Sequence, residues 1–519
     1  MRFVETQQSY CRIGLATADI TPPLEMHHRM WGAALHDRAT SVHRPLRATA
    51  LFLRSLNSDP GEAQLVLMLD HCVLEAAEID RIRGEVCRRT ILTREQVQVS
   101  PSHTHGAGLL LRSRAELPGG DLIGPYLDSL AQQCGELAVA AIERARPATV
   151  IYGTGRCNLA AHRDYWDGEL DAFVCGFNPT GPSDDTVVVA RMTTDQGVLL
   201  GTIINYACHP TTLAWQNTAI SPDFIGAMRE VVERETGAPC MFIQGALGDL
   251  GPREGFVGDS KIADRNGRQL GFAALSTLES LPPDKTHFVY SGPVLSGTPL
   301  GTWCHETLSP LQLEQQAKWK SHRFIVSLSY RNDLPNVEQT KKQLSDWRTR
   351  EQHAAATGDD VQFGEARARA EQLTRELSRL SSLTTGATYP CPVTIMQVGG
   401  ALWVFIPGEP YQIFQTSLRA RFPDVAIIIT TLTEDGRLGY LPEATTYGRG
   451  IYQERISLLA PGSLELLIAR VSEEIGQILQ PQETRGTVLA DARSNCRAPH
   501  FDIPREDAAG VQKIVGLID

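Results

Sequence analysis

Pro101-Ser102-His103-Thr104-His105-Gly106-Ala107-Gly108 is the stretch on which this chain turns. It follows Val97-Gln98-Val99-Ser100, a short strand by composition. Side chains two apart on an extended segment point the same way, so the two imidazoles are expected to face one pocket. The small run Gly106-Ala107-Gly108 lets backbone or ligand come close. One histidine then suits a metal and the other a substrate. A solvated polar loop is the competing reading of an isolated His-x-His, and the rest of the chain decides between them.

Upstream, Leu65-Val66-Leu67-Met68-Leu69-Asp70 is an apolar run, and a helix-like segment holds Glu78, Arg81 and Arg83. Residues 45–56 and 64–70 predict buried strands. Ile13 to Thr21 reads as a strand ending at Pro22-Pro23, with Asp19 and Thr21 suited to organising the turn. Downstream, 122–146 repeats Leu127, Leu130, Cys134, Leu137, Ala138 and Ala141 on one helical face. Strands are expected at 149–153, 187–192, 197–204 and 240–244. Ser221 is the expected cap, and Pro222 the first turn, of a helix running to about Glu233. Residues 393–398 and 401–406 predict paired strands turning at Gly399-Gly400, 426–430 a further strand, and 462–479 a helix.

Residues 336–381 are highly charged and break near Gly358-Asp359-Asp360. Ala366, Ala370, Leu373, Leu377 and Leu380 recur at helical spacing, which predicts a hairpin packed on the body; a lid is the second reading. Strands and helices alternate throughout, so the fold class is α/β, a mixed-sheet catalytic domain over 11–480 with the hairpin inserted. The polar residues 481–519 are expected to form an irregular tail.

A length of 519 residues allows a large core, and a net charge of −11 argues against nucleic acid as the main partner. The 11 cysteines are scattered, odd in number and without Cys-x-x-Cys, which predicts free thiols in a reducing compartment. No apolar signal core opens the chain and no run reaches transmembrane length, so cytoplasmic residence is the expectation.

His103, His105, His209 and Glu409 all fall where predicted strands end, in Ser102-His103-Thr104-His105, Asn205-Tyr206-Ala207-Cys208-His209-Pro210 and Pro407-Gly408-Glu409. Two imidazoles and a carboxylate make a zinc shell with a position left for water. His-Glu-x-x-His, a Gly-x-Ser-x-Gly elbow, a Walker loop and a Rossmann fingerprint are all missing from the sequence.

These segments, with Gly14-Leu15-Ala16-Thr17-Ala18-Asp19-Ile20-Thr21-Pro22-Pro23, Gly248-Asp249 and the loop from Tyr440 to Tyr452, occur in the order and spacing of one family. The chain resembles the catalytic domain of the neutral (non-lysosomal) ceramidases over roughly 11–480. The resemblance implies a single zinc held by His103, His209, Glu409 and Tyr440. It implies His105, Arg163 and Tyr452 as the groups facing substrate, with His105 moving a proton and Arg163 and Tyr452 stabilising an oxyanion. Asp249 reads equally as a support for the site or as a turn residue. Asp70 and Asp223 are further candidates for indirect support.

The family's C-terminal immunoglobulin-like domain has no expected counterpart, and Gly448-Arg449-Gly450 replaces a more acidic run. The function implied is a zinc-dependent amidohydrolase acting on ceramide, and so in sphingolipid metabolism, or on another N-acyl amine. The alternatives are a zinc esterase or lactonase, and a catalytically silent binding protein.

Overall fold

Eight strands form the main sheet, in the spatial order Cys240–Gln244, Leu199–Tyr206, Thr186–Thr194, Arg146–Arg156, Gln8–Asp19, Arg47–Arg54, Ala63–Leu69 and Val97–Pro101. The interior pairs are antiparallel, and the pair at each edge is parallel. This computed structural model describes residues 3–57, 59 and 61–480, so the tail expected over 481–519 lies outside the described residues. The chain divides into units Met1–Ile478 and Leu479–Asp519, and the elements that carry the site belong to the first.

Both faces of the main sheet are covered, which is why its strands read as unbroken apolar runs. Leu65, Leu67 and Leu69 face the helices Ala76–Arg89 and Ile123–Glu143, while Val66 and Met68 point the other way. That other face meets a second sheet, ordered Trp319–Ser329, Thr388–Val398, Ala401–Phe405 and Ala426–Thr430, through Met396, Trp403, Phe405 and Ile428. The expected turn at Gly399-Gly400 is present: Val398 pairs with Ala401, and Gly399 has φ 54°. Helices Phe224–Thr236 and Ser260–Glu279 cover the half of the main sheet nearest Cys240–Gln244.

The charged segment forms two helices, Val337–Thr357 and Asp360–Leu380, joined through Gly358 at φ 70°. Asn336 and Asp359 cap them by accepting from Gln339 N and Gln362 N.

Three local expectations need correction. The helix after His209 is capped by Asp223, whose Oδ1 accepts from Phe224 N at 2.6 Å, and not by Ser221. Ser221 Oγ accepts from Asp223 N instead, so the turn is set two residues later than its sequence suggests. His103 lies at φ 68°, in the left-handed region, and a short 3₁₀ turn starts at His105. The two imidazoles therefore do not share a face by extended alternation. The strands Thr286–Ser296 and Thr298–Thr307 form a long ribbon, with Leu295 72% exposed near its tip, in a region where no strand was expected. Its outward side chains leave no burial pattern to read.

Candidate active site

The strands Val97–Pro101, Leu199–Tyr206 and Ala401–Phe405 end close together, and each is followed by one of the candidate ligands. Gly106 and Gly108 let the first loop fold tightly. A Cβ on Gly106 would stand 2.5 Å from Ser221 O, and one on Gly108 2.7 Å from His28 O. It is backbone, rather than ligand, that makes the close approach there. Glu409 is fixed by a two-residue parallel pairing of Glu409–Pro410 with Tyr440–Leu441, which sets Glu409 directly beside Tyr440.

His103, His209 and Glu409 are all buried and converge. Glu409 Oε2 lies 3.0 Å from His209 Nε2 and 3.5 Å from His103 Nε2. Tyr440 Oη is 3.4 Å from His209 Nε2, and His105 Nε2 is 3.5 Å from His103 Nε2. The carbonyls around the rings decide which nitrogens face inward. His103 Nδ1 donates to Cys72 O at 2.7 Å, and His209 Nδ1 donates to Leu247 O and Leu250 O, both at 2.9 Å. Carbonyls only accept, so both Nδ1 atoms carry hydrogens and both Nε2 atoms are left to face the carboxylate.

Converging acceptors repel unless a cation or a proton joins them. Ligand atoms on a tetrahedral zinc at about 2.0–2.1 Å stand about 3.3 Å apart, a value that the separations of 3.0, 3.4 and 3.5 Å found here bracket. The donor set fits a divalent ion held by His103, His209 and Glu409, with Tyr440 adjoining. A second group, Cys72 with His103 and His105, fits less well, because Cys72 lies on the Nδ1 side of His103, already used for a carbonyl.

Without a cation the charge balance falls to one proton. Burial opposes a charge on His103, but Glu409 outweighs it and raises the ring to about 10. Burial, then Arg163, pushes His209 down to about 3. Burial and the two neighbouring histidines push His105 well below the ordinary range, so it is neutral. Burial likewise raises Tyr440 and Tyr452, with nearby arginines opposing, so both are phenols.

Arg163 is 3% exposed. Its guanidinium lies 5.0 Å from the Tyr440 ring centre, and Nη2 donates to Gly248 O at 2.7 Å. Tyr452 begins the short helix Tyr452–Ile456, its ring 5.8 Å from that of Tyr440. It is 38% exposed, and its hydroxyl makes no hydrogen bond among the described residues. Asp249 fastens the Glu409 loop: its Oδ1 accepts from Gln412 N at 2.7 Å and its Oδ2 from Gln412 Nε2 at 2.6 Å. Asp70 accepts from Arg47 N and Arg229, and Asp223 caps its helix; these bonds do not run to the ligands.

Two neighbours of the site had no counterpart in the sequence reading. Trp31 packs against His105 with ring centres 5.1 Å apart, and Trp31, Trp215 and Phe256 form an aromatic group. The second hairpin helix, whose Arg375 donates to Met30 O next to Trp31, brings Arg375 and Arg379 into the electrostatic neighbourhood of Tyr452. Arginines in a charged helix carry no sequence mark of which of them face a site.

No family model matches the chain, and no curated protein matches it. Solved structures do. The crystal structure of neutral ceramidase from Pseudomonas aeruginosa superposes with a TM-score of 0.60 at 15% identity, over 94% of this chain and 77% of that one. A structure described as ceramidase complexed with C2 gives a TM-score of 0.60 at 15% identity, over 94% of this chain and 78% of that one. The chain has a neutral-ceramidase-like fold, a mixed α/β architecture.

Proposed function

We propose that the chain is a zinc-dependent hydrolase of a linear amide bond in an N-acyl amine, with ceramide or a smaller relative as substrate. The observation that carries this reading is the convergence of His103 Nε2, His209 Nε2 and Glu409 Oε2 beside a neutral histidine and an unpaired phenol. The shared fold with neutral ceramidase supports the amide as the bond attacked. His103, His209, Glu409 and Tyr440 would hold the ion. Zinc, when bound, supplies Lewis-acid polarisation and a nucleophile at neutral pH.

The remaining steps belong to side chains. Tyr452 Oη–H is the donor for charge developing on the carbonyl oxygen. Arg163 adds its positive charge from behind the Tyr440 ring and steadies that ring. His105, neutral and tied to no hydrogen-bond acceptor at Nδ1, takes up a proton and delivers it to the leaving amine. Trp31 fixes the face of His105 and, with Trp215 and Phe256, keeps that flank apolar for an acyl or aliphatic group. Among the described residues ten cysteines are free, which supports a reducing compartment such as the cytoplasm. No described helix is long and apolar enough to cross a membrane.

The test compares an amide with an activated ester. N-dodecanoylethanolamine needs its amine protonated on departure; p-nitrophenyl dodecanoate has a leaving group that does not. His105→Ala is expected to lower amide turnover about 10²–10⁴-fold and ester turnover far less. No turnover of either compound, or equal losses on both, would contradict the reading.

A further inference from the structure

We infer that the substrate carries a carboxylate or similar anionic group and that Arg379, on the second hairpin helix, receives it. This rests on the hydrolase reading and names the substrate class of that same site.

The arginines of Asp360–Leu380 that point inward are otherwise spent. Arg367 binds Asp37, and Arg375 binds Glu371 at 2.7 Å and also Met30 O. Arg379 is half-buried, and its guanidinium makes no hydrogen bond or ion pair among the described residues. The nearest acid on its own helix, Glu376, accepts from Thr340 at 3.1 Å. Its stem runs past the ligand loop: Arg379 Cδ lies 3.9 Å from where a Cβ on Gly439 would stand, one residue before Tyr440. Its charge is felt by Tyr452, the phenol assigned to the developing oxyanion.

A guanidinium keeps its charge at any physiological pH, so burying part of one without a partner carries a cost. A carboxylate offsets that cost with two parallel charge-assisted bonds. Burial lowers the Arg379 pKa and Arg375 adds repulsion, with Tyr452 and Glu376 opposing in part. Glu371 is shared among Arg29, Arg114 and Arg375, and Glu409 faces the histidines, so neither supplies the missing anion. Trp31, next to the Met30 carbonyl that Arg375 binds, forms with Trp215 and Phe256 an aromatic group beside His105. An amphiphile with one apolar part and one anionic group matches the aromatic group and Arg379 together: an N-acyl amino acid, or an amide of a dicarboxylic acid.

The test uses the zinc-loaded full chain and two matched pairs. N-dodecanoylglycine against N-dodecanoylglycinamide puts the carboxylate on the amine side. N-dodecylglutaramic acid against its primary amide puts it on the acyl side. One acid is expected to exceed its neutral partner in kcat/KM by at least about tenfold. Arg379→Gln collapses that ratio towards one, and Arg379→Lys keeps part of it. Each ratio is taken within one protein, so a partly folded variant does not distort it. No preference for either acid, or the same ratio in Arg379→Gln, would overturn the inference. If neither pair is turned over, equilibrium binding of the same four compounds separates the two readings. A binding ratio that falls about tenfold in Arg379→Gln keeps the anion site and rejects the hydrolase; an unchanged ratio rejects the anion site.

Discussion

Glu371→Gln tests how the hairpin is held against the site. Glu371 Oε1 accepts from Arg375 Nε at 2.7 Å and from Arg114 Nη2, and Oε2 accepts from Arg29 Nη2 at 3.1 Å. The carboxylate is 5% exposed, with Arg114 more enclosed and Arg29 slightly less. Arg114 Nε and Nη1 have no other partner, so Glu371 is its main support. Glutamine keeps the shape, removes the charge and turns one acceptor into a donor aimed at guanidinium donors. Breaking a buried pair this way costs about 3–5 kcal/mol, against ~0–1 kcal/mol for a surface pair. Three cations around one anion place the expectation at the upper end.

The acid response carries the same information. Burial would raise the Glu371 pKa, but Arg375 and Arg114 outweigh it and hold the carboxyl well below its usual range. A depressed folded pKa gives stability that is complete above the unfolded value, near about 4.3, and is lost as pH falls from there toward the folded value. Urea unfolding at neutral pH and along an acid series is the assay, with hydrogen exchange over Asp360–Leu380 reporting the hairpin separately. The wild type is expected to lose stability below about pH 4.3 more steeply than Glu371→Gln. A loss under ~1 kcal/mol at neutral pH, with acid profiles that coincide, would refute the reasoning.

Other consequences follow from the site. Gly248→Ala would place a Cβ 2.4 Å from Glu409 O and 2.9 Å from Pro410 O. The variant is therefore expected to lose both melting temperature and metal affinity, measured by thermal unfolding and zinc titration; wild-type values in both would show that the loop yields freely. Tyr452→Phe removes an unpaired donor and no structural bond, so kcat should fall about 10²–10³-fold with little change in melting temperature. Steady-state kinetics on N-dodecanoylethanolamine checks this, and an unchanged kcat would remove Tyr452 from the oxyanion.

Much of this fold is legible because strands buried on two faces leave long apolar runs. Leu65 to Leu69 announces itself this way, and the turn at Gly399-Gly400 is marked by its glycines. His103, His209 and Glu409 are individually visible as strand-end residues. Their convergence is not, because it depends on a strand at one edge of the main sheet, a strand next to its other edge, and a strand in a second sheet. The His-x-His pair meets through a left-handed residue, His103 at φ 68°, which no alternation rule anticipates. The Ser221 expectation fails because Asp223, at φ 55°, satisfies Phe224 N and Leu213 N with one side chain. Arg379 was hidden by the strength of the helical pattern around it. Ala366, Ala370 and Leu380 explain why the hairpin packs, and packing says nothing of which arginine is left without a partner.

The most direct test of the central claim is the zinc content of the purified full chain beside His209→Ala and Glu409→Ala. The account predicts about one ion per chain in the wild type and almost none in either variant, joining residues from separate sheets in one site. A well-folded wild type that binds no zinc, or variants that keep a full complement, would contradict it.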